Sequence, residues 1–245
     1  GVAPFGSPGA DGKRRSWFQS VPMREIREPG GLVELERRSG ETREVRTFRH
    51  GVDVVVPVQP ARSVAAPVVF AGYGIRETTP ARDDYRGLDV KGKVVVLREG
   101  LPPGEEWKTK ALRAKWADGE AGERWAEKAK LAKALGAAGV LAVEGEEWTA
   151  RLTGKEKPET FAFRQVEEGP NREPLLVRGA PAVLEALLGA APTPDEAPRA
   201  MPGVVATLRA TSVERLGLTR NVVGVLPGLS ATLCIALLTT LTIKM

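Results

Sequence analysis

The chain has 245 residues, 42% of them apolar and 27% charged, which is enough to bury one full core and part of a second and too apolar for a disordered segment. Lys and Arg outnumber Asp and Glu by 36 to 31, but the excess is spread out: between Lys108 and Lys133 eight basic residues alternate with four acids, which reads as a solvated helix face and excludes a clustered nucleic-acid patch. The one cysteine, Cys234, excludes an intrachain disulfide and a cysteine-based metal site, and the one histidine, His50, has no Ser or Asp context for a catalytic triad.

Gly1 to Arg15, rich in Gly, Pro and charge, is expected to be a loop. Gly1 is not Met and no leader follows it, so either a leader was removed or the chain starts partway through a longer product. Trp17 to Met23 is a β-like run, and Leu32 to Glu36 alternates apolar and polar residues before the turn at Ser39 and Gly40. Thr47-Phe48 and the run Val52 to Val58 are further strand candidates. His50, beside Gly51, reads as a polar residue near a turn.

Val68 to Gly74 is an apolar strand that ends in the turn Gly72-Tyr73-Gly74, which lacks the third glycine of a dinucleotide loop. Asp83 and Asp84 have no neighbouring acid or base and are expected to cap local amides in an exposed turn. Lys91-Gly92-Lys93 is a tight turn feeding the buried strand Val94 to Leu97. Gly104 to Leu135 has helical composition, with Leu131, Leu135 and Ala138 at i, i+4, i+7, and Gly136 and Gly139 stop it before the strand Val140 to Val143. Strand, helix and strand with short joints predict a crossover unit.

Trp107, Trp116 and Trp125 are nine residues apart, which on one continuous helix alternates faces; these rings, with Trp148, either pack onto the sheet or contact a peptide or partner. Thr149 to Gly169 is a polar loop, Pro174 to Val177 a short strand and Ala182 to Leu188 a helix closed by Gly189. Ala190 to Pro202 carries four prolines in thirteen residues and reads as a linker. Val204 to Leu208 and Asn221 to Leu226 are the last clear strands. The apolar run Leu229 to Ile243 is 15 residues long, short of the about 20 that a membrane span needs, so a membrane partner is not expected.

Pro67 to Ile75, Asp84 to Leu97, Lys130 to Val143, Pro174 to Val177 and Ala182 to Leu188 together resemble the protease-associated (PA) domain, a lid-like module inserted in several peptidase families. Its two most telling pieces are the Asp-Val-x-Gly-Lys-Val-Val segment from Asp89 and the helix running into Gly136-Ala-Ala-Gly-Val140. Trp17 to Met23 and Arg220 to Gly228 resemble the first two strands of zinc aminopeptidases of the aminopeptidase Y, aminopeptidase S and glutamate carboxypeptidase II types, between which the family carries the module. The Asn221 to Gly228 strand disfavours the equivalent insert of a subtilisin-like protease.

The resemblance implies an α/β, β-rich PA fold: a twisted mixed sheet with few helices, plus flanking strands of an incomplete peptidase domain. It divides the chain into an N-terminal flank (1–60), a PA domain (61–203), return strands (204–228) and an apolar tail (229–245). The family's first His-x-Asp zinc ligands follow the Asn-Val-Val-Gly strand, where this chain has Leu229 to Met245 without His, Asp or Glu. No catalytic residue, metal ligand or cofactor is therefore expected within this chain, although zinc serves the parent family. The tail also lacks Arg, Gly and Pro, an abrupt change from the preceding residues that predicts a reading-frame break after Gly228. The resemblance implies a non-catalytic module, secreted or periplasmic, with a peptide, a protein or the missing peptidase domain as partner. The alternative is a stand-alone interaction or sorting domain.

Overall fold

The structure, a computed structural model, describes residues 3–4, 7–8, 12, 14–118, 121–145, 160–165, 173–222 and 224–225. The chain divides into two units: Gly1–Arg27 with Phe161–Asn171 and Val213–Met245, and Glu28–Thr160 with Arg172–Ser212. Trp148, Cys234 and the run Leu229 to Ile243 lie outside the described residues.

The second unit is built on four strands, β5 (Arg62–Phe70), β8 (Val94–Arg98), β9 (Gly139–Val143) and β11 (Leu175–Gly179), which run parallel in that order. Parallel strands are buried on both faces, so nearly every position must be apolar. The residues comply: Val68, Phe70, Val94, Val96, Leu141, Val143, Leu175 and Val177 point into one core, and Val69, Val95, Leu97, Val140 and Ala142 into another. The first core is closed by Val183, Leu184 and Leu187 of the helix α3 (Pro181–Leu188), which Gly189 ends in the left-handed region. The second is closed by Trp125 and Ala132 of α2 (Ala121–Ala134), the crossover between β8 and β9.

Antiparallel strands complete a mixed sheet. β12 (Arg199–Val222) pairs with β5 through a bulge between Met201 and Val205, and β4 (Val54–Val55) pairs with β11. β2 (Phe18–Ser39) pairs with β3 (Thr42–Arg49) about the predicted Ser39-Gly40 turn. Val33, Leu35 and Phe48 are buried in the first core, so β3 and the part of β2 from Glu28 onward belong to the same unit as the parallel strands. A small hairpin, β6 (Arg76–Thr78) and β7 (Ala81–Asp83), stands apart from the large sheet.

In the first unit, β10 (Phe161–Gln165) pairs with the start of β2, Phe161 opposite Arg27 and Gln165 opposite Met23, and β1 (Ala3–Pro4) pairs with β13 (Gly224–Val225). Arg24 and Glu214 form an ion pair at 3.1 Å, and the Arg220 guanidinium lies 5.9 Å from the Phe18 ring centroid. Trp17, Phe18, Phe161, Leu216 and Leu218 are exposed.

Four expectations are corrected. Val52 to Val58 holds only the two-residue β4, because Gly51 turns the chain, the Asp53 side chain accepts from the Arg49 amide, and Pro57 and Pro60 have no N–H for a ladder. The helical stretch is a 3₁₀ turn (Glu105–Trp107), then α1 (Lys110–Trp116), then α2; Thr109 starts α1 by accepting from the Leu112 amide. β10 stands within the expected polar loop of 149–169. Val204 to Leu208 and Asn221-Val222 are parts of one strand, β12.

Gly31 has φ 144°, and a Cβ there would stand 1.9 Å from the Arg209 carbonyl oxygen, a backbone atom with nowhere to go. Gly31→Ala is expected to cost more than about 3 kcal/mol in urea unfolding, whereas Gly40→Ala, in open space, costs about 1–2 kcal/mol from its left-handed backbone alone. The exposed apolar side chains of the first unit predict concentration-dependent association in light scattering, reduced by Leu216→Lys with Leu218→Lys. A monodisperse wild-type monomer would contradict this.

Candidate functional site

All four parallel strands deliver their carboxyl ends to one edge, where open α/β sheets place functional groups. The turns leaving the strands are stitched together there. The Arg98 amide donates to the Gly72 carbonyl at 2.8 Å, the Glu99 amide to Val143 at 2.8 Å and the Glu144 amide to Gly179 at 2.9 Å. Gly72-Tyr73-Gly74 is the predicted tight turn, closed by the Gly74 amide on the Ala71 carbonyl at 2.8 Å.

Buried charged residues occupy this edge: the pair Glu144 and Arg178, then Lys128, and Asp84. Glu144, at the end of β9, accepts from Arg178 Nε of β11, and their side chains are 0% and 10% exposed. Lys128, 1% exposed, lies on the face of α2 that also carries Trp125 and Ala132. The expectation of a solvated basic face between Lys108 and Lys133 is therefore corrected at Lys128. Its spacing was the available signal: Lys128 stands three residues after Trp125 and four before Ala132, in the apolar stripe rather than opposite it.

Lys128 Nζ donates to the carbonyls of Arg98 (3.1 Å) and Gly100 (2.8 Å). It lies 5.3 Å from the Trp125 ring centroid and 5.9 Å from that of Tyr73. Burial drives its ammonium down to about 7, against the opposing pull of the Glu99 and Asp84 carboxylates. The Tyr73 ring also has Arg98 at 5.1 Å and Arg82 at 5.5 Å, so three cations surround one aromatic ring. Burial pushes the Tyr73 phenol up, with Arg98 and Arg82 opposing.

Asp84 is buried, which corrects the exposed turn expected for it. It does cap a local amide: Oδ2 accepts from the Ile75 N–H at 3.0 Å, and Oδ1 accepts from Arg82 Nε at 2.6 Å. Burial pushes its carboxyl up, with those two donors pulling it down. Asp83 accepts from the Tyr85 amide at 3.0 Å.

The proline-rich stretch from Ala190 to Pro198 crosses this edge and is more than a linker. Tyr73 Oη donates to the Pro194 carbonyl at 3.3 Å and Arg98 Nη1 to the Thr193 carbonyl at 2.5 Å. Pro198 Cγ stands 3.3 Å from where a Cβ on Gly72 would be, so the strap lies directly on that turn.

Trp107 and Trp116 are buried with Tyr73 and Ile75, and Trp116 Nε1 donates to Glu77 at 2.7 Å. Trp125 is buried beneath Lys128. Of the two fates weighed for these rings, packing is the one the structure shows. Among the described residues no group of three His, Cys, Asp or Glu side chains could hold a metal ion. His50 is half-buried, which lowers its pKa, and its Nδ1 already accepts from the Val56 amide at 3.0 Å. A zinc site does not fit the described residues. Among the described residues no helix is long and apolar enough to cross a membrane.

Arg178→Met removes the buried pair's cation and is expected to cost about 3–5 kcal/mol, whereas Glu144→Leu with Arg178→Met is expected to cost less than the two single changes added together. A double-mutant cycle in urea measures the difference, and a double-variant loss equal to the sum of the single losses would contradict it.

Comparison with family models matches residues 64–169 to the PA domain. Among solved structures, the chain is similar to the zinc aminopeptidase BSAP from Bacillus subtilis, at 17% identity and a TM-score of 0.40 over 83% of this chain and 36% of that one. It is also similar to an aminopeptidase from Aneurinibacillus sp. strain AM-1, at 14% identity and a TM-score of 0.37 over 84% of this chain and 37% of that one. The chain thus spans well under half the length of either, and no curated protein matches it. From Val64 to Gly169, this chain carries a PA domain.

Proposed function

We propose that this chain works as a non-catalytic PA module of a zinc-dependent aminopeptidase-like protein, shaping substrate access to the active site or holding a protein partner. The parent activity is removal of amino-terminal residues from peptides, outside the cytoplasm. The observation that carries this reading is the PA match over residues 64–169, on a sheet whose two faces are closed by its own helices. The likeness of Trp17 to Met23 and Arg220 to Gly228 to aminopeptidase strands supports the choice of parent. Because the described residues do not fit a zinc site, the reading assigns hydrolysis to other residues of the parent and routes no step through this module.

The non-catalytic half is tested on the purified chain with added zinc. After desalting, the expected result is far less than one zinc per chain and no p-nitroaniline release from aminoacyl anilides above the buffer rate. Stoichiometric zinc with turnover overturns it. The access half is tested in the parent enzyme by excising residues 28–212, which span the whole second unit. The expected change is in KM for peptides, with kcat for short anilides retained; unchanged constants for both reject a role in access.

A further inference from the structure

Lys128 is used by nothing described so far. An ammonium has three donors, and two of them meet the carbonyls of Arg98 and Gly100 beside the Trp125 and Tyr73 rings. Its enclosure is layered. The turn Arg98–Gly100 and the Tyr73 ring lie over Nζ, and the same two residues, Arg98 and Tyr73, hold the strap through the Thr193 and Pro194 carbonyls. Arg98 and Tyr73 are thus the residues that stand both beside the ammonium and under the strap.

We propose that Lys128 is a proton-operated latch beneath the strap of residues 190–198: carrying its proton it favours an opened strap and a hydrated ammonium, and without the proton it lets the strap close over the strand ends.

The physical reason is a difference in solvation. A buried ammonium loses its hydration and recovers part of it from two carbonyls and two ring faces, whereas a neutral amine loses little on burial. The charged groups acting on it are Glu99 and Arg98 from β8 and its turn and Asp84 after β7, and the rings beside it are Tyr73 from the β5 turn and Trp125 from its own helix, while Arg82 of β7 and Asp195 of the strap act on Tyr73. Glu99 and Asp84 hold the proton on, while burial and Arg98 drive it off. The sign follows. The closed form releases its proton near 7, whereas an opened, hydrated lysine keeps its own to about 10.4. Between those values the opened form binds more protons, so closure strengthens about tenfold per pH unit as pH rises from 7. Below about 7 both forms are charged and the dependence vanishes. Burial holds Tyr73 and Tyr85 above the usual phenol range, so both stay protonated throughout this window.

Hydrogen exchange of the intact chain tests this, read by mass spectrometry on peptides covering 98–104 and 190–198 and corrected for the base-catalysed intrinsic rate. In the wild type the opening constant should fall about tenfold per unit between pH 7 and 9 and level off below 7, while Lys128→Met shows no slope. A flat wild-type profile, or an equal slope in Lys128→Met, overturns the proposal. If Lys128→Met does not fold, carbon-13 NMR of lysine Cε in the wild type decides. One lysine with its midpoint near 7 supports the latch, and every lysine titrating above about 9 refutes it.

Discussion

A strand covered on both faces has no side on which to put a polar side chain, and four such strands lie next to one another here. Val94 to Leu97 alternate between the core closed by α3 and the core closed by α2, and all four are buried. Each such side chain contributes roughly 1.5–3 kcal/mol of burial. The demand on sequence is severe and leaves charge one exit, the point where each strand leaves the sheet. Arg98, Glu99, Glu144 and Arg178 all stand at that exit. The polar chemistry of this unit is therefore concentrated at one edge as a consequence of how its core is built.

The edge solves the cost of buried charge in two ways. Glu144 and Arg178 neutralise each other within the low-dielectric interior. Lys128 is treated differently: it meets carbonyl dipoles and ring faces, and its ammonium is pushed far below the usual lysine range. An ion held by dipoles gives up its proton when burial outweighs them. The pair serves to fix β9 against β11, and the lysine is the group whose charge can change.

Much of the fold was legible in the residues. Val94 to Leu97 after Lys-Gly-Lys, the glycine-stopped helix before Val140, and Gly189 closing α3 each have a local cause, and each forms where pattern and turn chemistry place it. The errors arose where long-range pairing overrode local pattern. Val204 to Leu208 and Asn221-Val222 read as separate strands, because nothing local shows that β5 pairs along the chain on one side of the intervening residues. β10 was hidden in a polar loop because Phe161 to Gln165 becomes a strand by pairing with Met23 to Arg27, far away in sequence. The candidate site was the least legible part. Lys128 looks like one of many basic residues until its phase relative to Trp125 is considered, and the partners of Tyr73 come from β7, β8, α2 and the strap.

The strap's own composition explains why cations gather beneath it. Pro192, Pro194 and Pro198 offer no N–H, so the segment has few donors with which to bond a sheet edge, while each of its carbonyls still needs one. Docking must therefore run from donors on the body to acceptors on the strap, and the bonds do so: guanidinium to the Thr193 carbonyl, phenol to the Pro194 carbonyl. Proline also restricts the undocked segment, which lowers the entropy lost when it closes. Both of these bonds are made by residues that also stand beside Lys128, Arg98 with its carbonyl and Tyr73 with its ring, so the charge of one buried group acts where the strap is fastened.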